Sequence, residues 1–305
     1  MIRTCTCFAL AIAISSVDQR DYQGDADRVS FLQGKVQTGH SMPAVLNSTT
    51  ATAAESLMSL AYYINLDRST DRRKYMERQL FQLQQASENS YGHFVFHRFP
   101  AVNGTLDPYV QKIWQDSDNG KQFGGTVTTV FENRRLGSLA CTRSHLLVLK
   151  RALRDVQSQA YRGRYVLIME DDANFVVDSL ASLPSRVDAV PKDADLVMLG
   201  TFGLKRQRDY VGSGVYRARK PFARKASDVE ALAGNYDKRH PNVFYGGMQA
   251  YLVPVARLPA VIDFLETTPP ATEIDALTHN LQKYVLDPPL ARQKPGKSEV
   301  AHAET

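Results

Sequence analysis

Tyr165-Val166-Leu167-Ile168-Met169-Glu170-Asp171-Asp172 is the stretch whose character settles the fold class. Five apolar residues rich in β-formers read as a short strand covered on both faces, as in a parallel sheet layered between helices. Three acids follow at once. In open α/β sheets ligands collect beyond the carboxyl ends of strands, so acids placed there face a binding crevice. Side chains alternate along extended backbone, which sends Glu170 and Asp172 one way and Asp171 another. Two carboxylates on one side supply hard oxygen ligands for Mn2+ or Mg2+, and such a cation bridges a diphosphate. The plainer alternative is an acidic turn in which Asp171 or Asp172 caps the next helix.

Similar signals lie to either side. Leu60-Ala61-Tyr62-Tyr63-Ile64-Asn65-Leu66 is another largely apolar run, and Phe94–Phe99, ended by Pro100, fits a second strand. Asp195–Gly200 and Met248–Val253 fit two more. Between them, Ser69 and Thr70 offer N-caps to a helix with Met76, Leu80 and Leu83 at helical spacing. Gly137 or Ser138 opens a helix whose apolar face is Leu146, Leu149, Leu153 and Val156, and Val255–Leu265 reads as a third. Strands alternating with helices predict an α/β domain with a mostly parallel sheet flanked by helices. Residues 105–135 and 204–242 are polar and aperiodic, and loops of that length in a domain are functional or disordered.

The chain has 305 residues, of which 43% are hydrophobic, 23% charged and 9% aromatic, an ordinary globular composition. Its 37 Lys and Arg exceed its 32 Asp and Glu by five. That excess is local: Leu204–Arg239 holds 10 basic residues against 4 acidic, and the remainder is close to neutral. With Gly212 and Gly214 inside it, the segment reads as a solvated loop, a flap over a diphosphate, or a steering patch for an acidic acceptor. A nucleic-acid platform is not expected, because the glycines point to a mobile loop rather than stacked aromatics.

Three cysteines exclude a disulfide scaffold and a Cys-rich zinc cluster. Cys141, the one in the body of the chain, reads as a small packed hydrophobe rather than a nucleophile. No stretch is apolar for the roughly 20 residues that a membrane-spanning helix needs. Residues 1–17 carry Arg3, an apolar run from Cys5 to Ile14, then Ser15 and Ser16, the pattern of a secretory signal or of a frayed apolar tail. A signal implies the secretory pathway; without one the protein is cytoplasmic. Residues 18–56 read as a disordered linker, 57–288 as the folded domain and 289–305 as a loose tail.

Four blocks, in order, resemble glycosyltransferase family 25, which contains bacterial lipopolysaccharide galactosyltransferases and collagen-modifying galactosyltransferases. They are Tyr63-Ile64-Asn65-Leu66-Asp67-Arg68 with Asp71-Arg72-Arg73 behind it, Arg98-Phe99-Pro100-Ala101-Val102-Asn103-Gly104, Leu136–His145, and Leu167–Asp172. A weaker echo is Gly246-Gly247 before Ala250-Tyr251-Leu252, followed by Glu273-Ile274-Asp275-Ala276-Leu277. Ser138 stands where the family usually has Glu, and Ala140 where it has Gly. The resemblance covers roughly residues 60–280 and implies a GT-A-like nucleotide-sugar-binding domain. It further implies inverting transfer of a sugar, galactose foremost, from a UDP-sugar donor to a hydroxyl of a glycan or protein acceptor. Glu170 and Asp172 are then the metal ligands, for Mn2+ or Mg2+.

The remaining candidates each have two roles open. Asn65 and Asp67, at a strand end, suit a nucleotide's base or ribose, or a turn before the helix. Arg72 and Arg73 suit the diphosphate or plain solvent. Asn103, Ser144, His145 and Asp171 fall in the family blocks and would line the donor pocket, although a helical His in an apolar stretch is commonly structural. Asp275 is the leading base for the acceptor hydroxyl, a further metal-site contributor, or a helix cap. Against the transferase stands a family member that has lost catalysis and serves as a binding or adhesion module, motivated by Ser138 and Ala140.

Overall fold

The computed structural model describes residues 57–87, 95–116, 129–158, 161, 163–200, 208–218, 247–268, 274–278 and 281–294. The expected signal and linker lie outside the described residues, as do 204–207 and 219–239 of the basic segment. The strands are β1 (Met58–Asn65), β2 (Val95–Pro100), β3 (Tyr165–Glu170), β4 (Ala173–Phe175), β5 (Leu196–Met198), β6 (Arg208–Gly212), β7 (Val215–Ala218), β8 (Ala250–Pro254), β9 (Lys283–Leu286) and β10 (Ala291–Gln293). The α-helices are α1 (Thr70–Ser87), α2 (Pro108–Asp116), α3 (Thr129–Gln157), α4 (Leu183–Asp188), α5 (Leu258–Thr267) and α6 (Ile274–Leu277).

Among the described residues, eight strands form one mixed sheet in the order β2-β1-β3-β8-β5-β9-β7-β6. The expected parallel pairing holds for β2-β1-β3 and for β5-β9; the other pairs are antiparallel. A continuous apolar run records burial on both faces, not strand direction. Thus β8 is antiparallel to both neighbours, yet Tyr251, Leu252 and Val253 are all fully buried. The period of two divides each run between two cores. Ala61, Tyr63, Leu167 and Met169 pack beneath Met76, Leu80 and Leu83 of α1. Leu60, Tyr62, Val166 and Ile168 pack against Leu146 and Leu149 of α3 and Val261 of α5.

Three segments depart from expectation. The polar stretch 105–135 contains α2 and the first turns of α3, which begins at Thr129 rather than at Gly137 or Ser138. Asp107 caps α2 by accepting the Val110 N–H at 2.9 Å, with Pro108 at the first helical position. Val110 and Trp114, one turn apart, bury α2 against Leu139 and Ala140. The basic segment holds the β6–β7 hairpin, turned by Ser213 at φ 49° and Gly214 at φ 72°. It went unseen because β6 is a sheet edge with exposed Tyr210 and Val211, so no apolar alternation marks it.

The third departure concerns the start of the expected loose tail, whose residues 295–305 lie outside the described residues. Residues 290–294 are ordered, because β10 pairs antiparallel with β4 and the Leu290 and Ala291 N–H groups donate to Leu199 O. Gly200 permits that approach: a Cβ there would lie 1.8 Å from Ala291 O. The docked segment lands beside the acids that follow β3.

Candidate active site

The carboxyl ends of β1, β2 and β3 meet on one edge of the sheet, and α3 passes over it. Asn65 closes β1 and is only 1% exposed. Its Nδ2 donates to Asp171 Oδ2 at 2.8 Å and to Ser69 O at 3.1 Å, while its Oδ1 accepts from Arg98 Nε at 3.0 Å. Arg98, on β2, also donates to Asn65 O and pairs with the exposed Asp67. Arg72, in the first turn of α1, places Nη1 2.5 Å from Asp171 Oδ1 and Nη2 4.0 Å from Asp172 Oδ2. Asp171 is therefore clamped by Asn65 and Arg72, and burial still raises its pKa.

Asp172 Oδ2 accepts from Gln293 Nε2 at 2.9 Å, and its backbone carbonyl accepts the Lys294 N–H at 2.7 Å, both from the docked tail. Its buried Oδ1 has no hydrogen-bond partner. Burial, then the charge of Glu170, pushes Asp172 up to about 6. An anionic oxygen held without a donor beside a second carboxylate is an environment that suits a divalent cation.

Glu170 is also met from α3. His145 is 1% exposed, with Nε2 3.2 Å from Glu170 Oε1 and Nδ1 2.8 Å from the Tyr251 hydroxyl. Where the ring is neutral and its Nε2–H donates to Glu170, the Tyr251 hydroxyl donates to Nδ1. One turn earlier Cys141 Sγ stands 3.9 Å from the same Glu170 oxygen. Ser144 serves the backbone: its Oγ accepts the Val102 N–H at 2.9 Å and donates to Ala140 O at 2.7 Å. That bond ties the segment after β2 to α3. Asn103 folds the same segment by accepting from the Thr105 N–H and hydroxyl.

Together these groups line a cleft of about 820 Å³, counting the volume open to solvent. Asn103, Ser144, His145, Glu170, Asp171 and Asp172 lie on it, with Arg68 and Arg72. Asn65 and Asp67 do not; Asn65 is a strut beneath the acids, and Asp67 faces Arg98. Arg73 turns away to Glu77, at 3.0 Å, and Arg72 takes the position expected of it. Asp275 lies on the short α6, and its side chain is outside the described residues. The sequence did not signal Gln293 as part of the site, and it placed Tyr251 only in the weaker family echo, with no role. Gln293 sits in a segment without periodicity, and nothing local to Tyr251 marks its contact with His145.

Gly104 sets how closely the Asn103 segment approaches α3: a Cβ there would lie 2.5 Å from Leu136 O. Backbone must move to admit it. Gly104→Ala is expected to lower stability by about 1–3 kcal/mol and to loosen the cleft wall, as read by chemical denaturation. An unchanged denaturation midpoint would show that the segment is not held against the helix.

A cleft beyond the ends of parallel strands, with three carboxylates and two arginines on its walls, is the ligand-binding architecture of an α/β enzyme domain. Residues 58–217, just over half of the chain, match Glycosyltransferase family 25 (LPS biosynthesis protein), and the chain belongs to that family. It is thus a glycosyltransferase by family, acting between a sugar donor and an acceptor. The matched span carries every described residue of the cleft but not Asp275 or Gln293. No curated protein matches the chain. No helix among the described residues is long and apolar enough to cross a membrane.

Proposed function

We propose that the protein transfers a sugar, galactose foremost, from a UDP-sugar to a hydroxyl of a glycan or protein, with inversion and with a divalent cation, Mn2+ or Mg2+. The observation that carries this is the orphaned Oδ1 of Asp172 beside Glu170 in a cleft that also presents Arg68 and Arg72. Three carboxylates alone repel a diphosphate. Glu170 and Asp172 would hold the cation, which would turn the same walls attractive to a diphosphate and supply stabilisation of the charge on departing UDP.

The chain's own groups do the rest. Arg72 neutralises Asp171, so that acid adds little repulsion towards the donor, and Arg68 is placed to meet phosphate oxygens. His145 and Tyr251 fix the Glu170 carboxylate, and Gln293 fixes that of Asp172. Inversion needs a base opposite the leaving group, and Asp275 is the residue we assign to remove the acceptor hydroxyl proton. Helix α6, which carries it, packs on α3. The donor is tested by turnover of a panel of nucleotide sugars with Mn2+ and with chelator. UDP-galactose is expected to be consumed fastest, and only with the metal. Consumption of another nucleotide sugar, or turnover in chelator, would overturn the corresponding part.

A further inference from the structure

Cys141 and His145 are four residues apart on α3 and share one helical face, which looks onto Glu170 at the end of β3. Cys141 Sγ is 3.9 Å and His145 Nε2 3.2 Å from Glu170 Oε1, and the three ligand atoms lie within 4.8 Å of one another. We propose that these side chains form a second metal site, one that takes a borderline-soft cation, Zn2+ foremost. One thiolate, one imidazole nitrogen and one carboxylate oxygen is a zinc donor set; Mn2+ and Mg2+ favour an all-oxygen pair such as Glu170 with Asp172.

The surroundings support ligation. A tetrahedral zinc separates its ligand atoms by roughly 3.5 Å; Glu170 Oε1 already stands 3.9 Å and 3.2 Å from its two partners, and a modest rotation of the Cys141 side chain towards His145, at most 4.8 Å away, closes the site. The His145 ring cannot swing away, because it stacks on Tyr251 with centroids 5.6 Å apart and holds that hydroxyl at 2.8 Å. With Nε2 on the metal, the ring proton sits on Nδ1 and is donated to Tyr251, the outer contact that orients metal-bound histidines. All three side chains line the cleft, which leaves a fourth coordination position facing its interior. Binding releases the Cys141 thiol proton to solvent and shifts the imidazole proton from Nε2 to Nδ1, with no change of oxidation state. The site does not depend on the sugar-transfer assignment. If that assignment holds, Glu170 is shared, and Zn2+ displaces the cation used in turnover.

Co2+ titrated into the reduced full-length chain is the test, since cobalt reports its ligands by absorption. A thiolate-to-cobalt charge-transfer band is expected, bleached by an equal concentration of Zn2+. Cys141→Ser should abolish it, and His145→Gln should weaken cobalt affinity at least about tenfold. A chain with both Cys5→Ser and Cys7→Ser should keep the band. Absence of the band from the parent overturns the site, as does a band that survives Cys141→Ser or is lost with Cys5 and Cys7. Far-ultraviolet circular dichroism of each variant separates loss of the site from loss of the fold.

Discussion

Asp172→Asn is expected to lower turnover of the donor by about 10²–10³-fold while making the metal-free protein more stable. The two effects share one cause. Asp172 is buried next to Glu170, Oδ1 has no donor, and its pKa stands at about 6 rather than 3.8. Between those two pH values the folded state keeps a proton that the unfolded state releases, so this group's contribution to stability falls as pH rises through about 4 to 6. Above pH 6 the folded protein carries the full cost of a buried carboxylate, of order 3 kcal/mol. An amide keeps the shape and the Gln293 contact without the charge. Thermal unfolding in chelator should therefore show Asp172→Asn above the parent at pH 7, with the gap closing towards pH 4. A variant that is both inactive and less stable at pH 7 would mean that Asp172 holds the fold rather than a cation.

Asn65→Leu is expected to cost about 2–4 kcal/mol in stability. Nearly isosteric, the leucine removes three hydrogen bonds at once. Asp171 Oδ2 and Ser69 O lose a donor, and Arg98 Nε loses its acceptor, all under the floor of the cleft. Freed from one side, Asp171 depends on Arg72 alone, so donor affinity falls as well. Urea denaturation reads the first effect and donor titration the second. A residue that touched the nucleotide, the role its strand-end position suggests, would raise the donor KM with an unchanged denaturation midpoint. That combination would remove the strut role.

What the sequence discloses and what it hides divide along physical lines. Strands β1 and β3, helix α1 and the acids after β3 are legible because burial on both faces, N-capping and strand-end polarity leave local marks. Family blocks add Asn103, Ser144 and His145, and all three do line the cleft. The choice between Arg72 and Arg73 was not legible. Adjacent helical residues point about 100° apart, and the phase is set by the turn after β1, which carries no code of its own. Asn65 is polar at a strand end, and only the tertiary structure shows Arg98 and Asp171 closing over it. The tail is the same case: Gln293 reaches Asp172 because Gly200 lets β10 dock, a contact between residues more than ninety positions apart.

Calorimetric titration of UDP into the full chain, with Mn2+ and then with chelator, bears most directly on the placement of sugar transfer in this cleft. Binding should require Mn2+ in the parent and vanish in Asp172→Asn with Mn2+ present. UDP binding that ignores the metal, or that survives Asp172→Asn unchanged, would contradict it.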